Sequence, residues 1–352
     1  MEFLRNSFIE YFTEKGYIIV PSSGLKAENA NLLFNISGGV IFEDHIEGFN
    51  EKSLKLASIQ RCLRTDSWKK IGSSGKHHIF FEMLGHFSFY VSDSYETKLS
   101  FIKDATDFLL EIVNLPRDRI YLTIHPDDPE SIQVVETLSL DFVKNKDNIS
   151  LSPQKRRSGY RVEIKWRRLQ REDIELWNLV FTQYEDEKFE KKMTKIAADS
   201  GMSLERLLAA REDKNNDYEC SFWNEYVDIF RGHSVIPNEH LFRMADLLRS
   251  SIELFKDGFY PGKKSHNYVS RKIMRELFAL MTLYQIDIDR VVPFTNFPQE
   301  YIREYYLFLA ALKKGEVYIK NVKTKKQHLE NQDINILFES YGYPELLYSR
   351  IS

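Results

Sequence analysis

Two arginines stand where rigid backbone could aim them. Arg64 closes the run SIQRCLR, which reads as the end of a strand, and Arg206 lies in the helix that follows SGMS. A guanidinium is planar, permanently charged and forked, so two of them on fixed elements make a clamp for a polyphosphate. A surface ion pair is the commoner use of any single arginine. The run ELWNLVFTQY supplies a different kind of wall. Strand alternation sets Trp177, Leu179 and Phe181 on one face and Asn178, Val180 and Thr182 on the other. An amide beside a short branched residue suits a small polar ligand with a short apolar group, and a solvated edge-strand face accounts for the same pattern. Asp199, shortly before Gly201, reads either as a helix N-cap or as a carboxylate for a ligand ammonium. His77 and His78 are adjacent, so on a strand they point to opposite faces and cannot share a metal. Walker, G-x-G-x-x-G, H-E-x-x-H and G-x-S-x-G patterns are absent, which removes the warrant for Rossmann and hydrolase readings. With Cys62 and Cys220 alone, neither a disulfide framework nor a cysteine zinc site is available, and no metal ligands are assigned.

The elements that must hold these residues can be read from hydrophobic period. A helix is predicted over Glu2 to Glu14, followed by a turn at Gly16 and the strand YIIVP. LKLASIQRCLR and HHIFFEMLGHFSFY have period-two character and flank the turn-rich TDSWKKIGSSGK, which suggests a long antiparallel hairpin. A helix from Tyr95 to Val113, the strand RIYLTIH and a polar stretch containing PDDPE come next. RVEIKW reads as a half-buried strand with a charged face, and ELWNLVFTQYED is expected to lead through a loop to a helix beginning near Ser200. From about Pro237 the pattern is helical, with one helix stopping at Gly258 and others over 268–283 and 298–314. The order implies an α+β domain over 1–235 on an antiparallel sheet and a helical domain over 236–352.

Composition bounds the rest. The 352 residues are 43% apolar and 14% aromatic, with 25 Phe and 19 Tyr, a globular composition with enough apolar mass for a core. No apolar run approaches the roughly 18 residues of a membrane span, so a soluble, cytoplasmic protein is expected. The net charge of −3 hides an asymmetry: Lys155 to Arg171 carries eight Lys or Arg against the single acid Glu163.

HHIFFEMLGHFSF, SIQRCLR, ELWNLVFTQY, ADSGMSLERL and the later MADLLRSSIELFKDGFYPGKKSHNYVSRKIMRE together resemble the catalytic core of alanyl-tRNA synthetase, a class II aminoacyl-tRNA synthetase, over about residues 2 to 280. The resemblance implies an antiparallel sheet of six to seven strands, with ATP accompanied by Mg²⁺ as the energy source. It implies that Arg64 contacts the α-phosphate and the amino-acid carboxylate. Arg206 would stack on adenine and hold the γ-phosphate, Phe81 would stack on the other face, His77 and Glu82 would lie by the phosphates and Met83 by the base. Asn178, Val180, Asp199 and Gly201 would form the amino-acid pocket, Asp199 meeting the α-ammonium and Val180 the methyl group.

The sequence also departs from that pattern. The family's Gly/Pro/Cys-rich segment before the Asn strand is replaced by SPQKRRSGYRVEIKW, which keeps only Glu163 and Ile164 and leaves side-chain preference open. The loop from Arg64 to His77 is shorter, Lys76 replaces an arginine, and Ser203 replaces a glycine, where a Cβ would crowd the nucleotide if positive φ were needed. The editing and C-terminal oligomerising domains are not expected, which favours a monomer without proofreading. Arg156, Arg157 and Arg161 are candidate contacts for an acceptor, with a solvated strand face as the alternative. The reading is ATP-dependent activation of a small amino acid, alanine or similar, and transfer to a tRNA 3′ end. A carrier-protein thiol or a small amine is the rival acceptor, and a non-catalytic binding or regulatory module the rival class.

Overall fold

A computed structural model gives the chain as two compact units, one made of residues 1–65 and 81–222 and the other of 66–80 and 223–352. Residues 1–350 are described, apart from 30, 153, 155, 170, 233, 234 and 327. The first unit opens with helix α1 (Glu2–Glu14), strand β1 (Ile18–Val20), a 3₁₀ turn over Gly38–Phe42 and the short α2 (Glu43–Ile46). The long strands β2 (Leu54–Leu63) and β3 (Phe80–Val91) follow, then α3 (Ser94–Asp107), β4 (Ile120–Ile124), α4 (Pro129–Thr137), β5 (Phe142–Lys144) and β6 (Ile149–Leu151). Strands β7 (Ser158–Trp166), β8 (Ile174–Tyr184) and β9 (Lys192–Ser203) lead into α5 (Leu204–Arg211).

Among the described residues nine strands form one sheet in the order β1-β2-β3-β9-β8-β7-β4-β5, with β6 also on β7. It is mostly antiparallel; β1 runs parallel to β2, and β4 to β5. One face is the core. Trp177, Leu179 and Phe181 are buried there, and Trp177 lies 6.4 Å from Phe8 of α1 and 6.0 Å from Phe108, which follows α3. His86 is sealed into the same layer, stacked on Phe101 at 3.7 Å and hydrogen-bonded to Ser200 Oγ. Burial lowers its pKa to about 3, so it serves as a neutral packing ring. The other face carries Asn178 and Val180, as the alternation predicts.

Several elements differ from the sequence-based expectation. The loop expected before Ser200 is the twelve-residue strand β9, and α5 starts only at Leu204. KMTKIAADSGMS has little apolar alternation of its own, and it is extended because β3 and β8 pair with it on both sides. The polar stretch around PDDPE starts α4, with Asp128 capping it by accepting from Ser131 N–H.

The second unit contains α6 (Asn224–Phe230), α7 (Asn238–Lys256), α8 (Ser265–Leu283), α9 (Pro298–Lys326) and α10 (Asn331–Ile336). Helix α7 ends before Gly258 at φ +80°, the left-handed stop that glycine supplies, whereas α9 runs twelve residues beyond the predicted 314. This unit begins at Trp223 and takes in 66–80, upstream of the predicted boundary at 235. The reason is specific: Asp246 of α7 accepts from Ile79 N–H at 3.0 Å and bonds His78 Nδ1 at 3.0 Å, while Trp223 stacks on His78 at 5.3 Å.

Candidate active site

The open face of the sheet is organised in rows across the strands. Asp199 on β9 is the register partner of Val180 on β8 and of Phe87 on β3, and Val180 is the partner of Arg161 on β7. The next row is Gly201, Asn178 and Glu163. The structure thus brings together all four residues expected to bind the amino acid. Asp199 lies within the strand rather than capping a helix; the cap of α5 is Ser203, which accepts from Arg206 N–H. Ser203 has φ −70°, so its Cβ meets no positive-φ conflict.

Two glycines that the sequence did not single out close this face. Gly38 N–H reaches Met83 Sδ at 3.1 Å, and a Cβ on Gly39 would stand 3.7 Å from Asp199 Oδ2. A Cβ on Gly201 would meet Met83 Sδ at 2.8 Å, so the bare glycine is what lets Met83 lie over β9. The adjacent pair in SGG was the available signal. Burial pushes the Asp199 carboxyl up to about 7.

Beside this pocket, β3 runs between β2 and β9. Phe81 has the Arg64 guanidinium over its ring at 5.0 Å, and Arg64 Nε donates to Ile36 O at 2.7 Å. Met83 pairs in register with Ser203, which places the start of α5 and Arg206 on the other side of β3. Arg206 donates to Glu175 O at 2.6 Å, and its Nε is enclosed without a partner in the structure. Glu82 departs from expectation. Its carboxylate accepts from the Arg5 guanidinium of α1 through Nε and Nη2, and alternation turns it to the face away from Phe81 and Met83, so only its backbone can serve the site face. His77 belongs to the second unit, where its Nδ1 bonds Ser74 Oγ at 2.8 Å.

The cationic run does not form one surface. Lys155 lies outside the described residues. Arg156 sits over Phe49 at 5.3 Å, and Arg157 donates to Ile46 O at 3.3 Å and packs against Gly48 so closely that any Cβ there would strike it. Arg161 and Lys165 lie on the open face of β7 and share Glu163 at 3.2 and 2.7 Å. Arg167, Arg168 and Arg171 are spent at the far end of the strand on the carbonyls of Asp118, Glu172 and Asn215.

The second unit has a concave surface of its own, a groove of about 1210 Å³. Trp68, Arg243, Tyr268, Arg271, Lys272 and Lys314 are among its lining residues. Lys272 stands over Trp68 at 4.1 Å and Arg271 over Tyr268 at 5.6 Å. Among the described residues no group of three or more His, Cys, Asp or Glu is placed to hold a metal, and no helix is long and apolar enough to cross a membrane.

Residues 3–306 match the family model for class II (A) tRNA synthetases. The chain belongs to that family. It is 28% identical to the alanine-tRNA ligase of Campylobacter jejuni strain RM1221, over 97% of this chain and 46% of that one. The alanine-tRNA ligase of Ehrlichia chaffeensis is also 28% identical, with 97% and 44% covered, and that of Halorhodospira halophila is 32% identical, with 81% and 36% covered. The chain therefore spans less than half the length of these relatives, and its similarity is to their catalytic part. Among solved structures, apo histidyl-tRNA synthetase from S. aureus matches with a TM-score of 0.45 at 10% identity, covering 62% of this chain and 68% of that one. Class II membership accounts for the mostly antiparallel sheet with flanking helices and for the ATP use that the family implies.

Proposed function

We propose that the first unit activates a small amino acid with ATP to give the aminoacyl adenylate and pyrophosphate. The observation that carries this reading is the pair of adjacent rows, Asp199 with Val180 and Gly201 with Asn178, on the open face of the sheet, with Phe81 of β3 and the Arg64 guanidinium beside them. Asp199 receives the α-ammonium, which orients the carboxylate toward the α-phosphate. A carboxylate oxygen forms the new bond to phosphorus, and the bond to the bridging oxygen of pyrophosphate breaks. Two anions must approach for this to happen, and negative charge grows on the non-bridging oxygens; Arg64 supplies the fixed positive charge that lowers both costs. Arg206 and Phe81 hold the nucleotide, and Met83 lines its base. Mg²⁺ would accompany the ATP and offset phosphate charge, and no residue of this chain is assigned to it.

Transfer to an acceptor completes the reaction, and the leading acceptor is the 3′ end of a tRNA. The relatives are alanine-tRNA ligases, and the cationic, aromatic groove of the second unit has the chemistry that nucleic-acid phosphates and bases require. ATP–pyrophosphate exchange across an amino-acid panel tests the first step. Trapping with tRNA, with a carrier-protein thiol and with small amines then identifies the acceptor. Exchange is expected with at least one small amino acid; none with any amino acid, with or without tRNA, would sink the enzyme reading.

A further inference from the structure

The row that runs from the proposed amino-acid site onto β7 ends in charged residues. Val180 and Asn178 have Arg161 and Glu163 as their register partners on β7, so the two residues beside the pocket residues are charged. Strands lie about 4.8 Å apart, which sets Asp199 and Arg161 roughly 10 Å apart across Val180, two strand spacings. A bound amino acid with its ammonium on Asp199 would project its side chain along that row toward Arg161. Two polar atoms on this wall, Arg161 Nε and Asn178 Oδ1, are enclosed and have no partner in the structure. An unpaired N–H on a permanently charged guanidinium calls for an accepting partner. Glu163 does not use up the guanidinium. It accepts from Arg161 at 3.2 Å but also meets Lys165 at 2.7 Å and Thr123 Oγ1 at 3.3 Å.

We infer that Arg161 is a specificity-determining residue and that the substrate is an amino acid whose side chain carries a hydrogen-bond-accepting oxygen, rather than alanine. Carboxylate, carboxamide and hydroxyl share that chemistry. An alanine methyl would leave the Arg161 N–H unpaired, the situation in which hydrogen-bonding sites reject an apolar analogue most strongly. The inference rests on the activation reading above.

ATP–pyrophosphate exchange with aspartate, glutamate, asparagine, serine, glycine and alanine tests it, using the full chain. One of the oxygen-bearing amino acids is expected to exceed alanine in kcat/KM by about 10²-fold or more, and which one separates carboxylate from carboxamide from hydroxyl. Arg161→Met keeps the aliphatic stem, and Lys165 and Thr123 still hold Glu163, so the fold is expected to survive. That variant should lose most of the preference through the favoured substrate's KM while alanine gains, with Arg161→Lys between the two. Exchange that favours alanine in the unaltered protein, or a preference unmoved in Arg161→Met with native circular dichroism, overturns the assignment of Arg161 and leaves the activation reading standing. Failure of exchange with every amino acid overturns both.

Discussion

Asp199 is a half-buried carboxylate in the middle of the sheet. Its pKa is raised from an ordinary 3.8 to about 7, and burial is the cause. Between those values the folded protein holds a proton that the unfolded chain releases, so this group makes stability fall as pH rises from about 4 to 7 and adds nothing further above 7. His86 acts in the opposite direction. Its folded pKa is lowered from 6.5 to about 3, so it contributes stability above 6.5 that is lost as pH falls. The Asp199 effect must therefore be taken as a difference between the unaltered protein and Asp199→Asn, by denaturant midpoints from pH 5 to 8. The variant should gain stability relative to the parent toward pH 8. Only the ionised carboxylate attracts an ammonium, so amino-acid kcat/KM in exchange should drop about tenfold per pH unit below 7. A profile flat through that range would remove Asp199 from the ammonium site. Arg64→Ala addresses the phosphate end. Loss of its fixed charge should cost about 10² to 10³ in exchange rate while circular dichroism stays native, because its side chain is exposed and its Nε hydrogen bond is to a loop carbonyl.

At the scale of elements, the pocket depends on β7, β8 and β9 keeping one register. Gly159 sits where the β7–β8 register shifts, and a Cβ there would stand 1.8 Å from Phe181 O, a backbone atom that cannot move without breaking the strand. Gly159→Ala is expected to destabilise the first unit by about 3 kcal/mol or more and to weaken amino-acid binding, read by denaturant unfolding and by KM in exchange. An unshifted unfolding midpoint would mean that this register is not what holds Arg161 beside Val180. What the sequence revealed at this scale follows from how strongly each segment patterns itself. ELWNLVFTQY alternates cleanly, so its two faces and the pocket residues Asn178 and Val180 could be read directly. KMTKIAADSGMS does not, and β9 with Asp199 inside it is a product of its neighbours. The direction of Glu82 was a matter of alternation along β3, but its partner Arg5 lies 77 residues away and no local pattern announces it. The eight cations of 155–171 suggest one surface only because they are neighbours in sequence. The described ones lie on the open face of β7 and beyond its two ends.

For the whole molecule, net charge says little about partners, since a total of −3 coexists with a groove lined by Arg243, Arg271, Lys272 and Lys314. Some of that charge is committed internally. Arg243 meets Glu276 and also donates to the carbonyls of Trp68 and Ile71 at 3.0 Å, holding 66–80 on the helices. Arg271 and Lys272 instead lie over aromatic rings, an arrangement that leaves cationic edges and π-faces together for a phosphate and an adjacent base. A tRNA acceptor would be recognised there largely through phosphates, so its affinity should fall steeply with salt. Replacing Arg271 and Lys272 together by Ala should weaken tRNA binding and flatten the dependence of log K on log salt by about 0.7 to 0.9 for each phosphate that the protein no longer neutralises. Titration of tRNA at several salt concentrations measures both, and exchange in the absence of RNA reports the activation step separately. A thiol or amine acceptor predicts a different result: transfer to that acceptor would proceed at an unchanged rate in the double variant, and the salt slope for tRNA would be as shallow before the substitutions as after them.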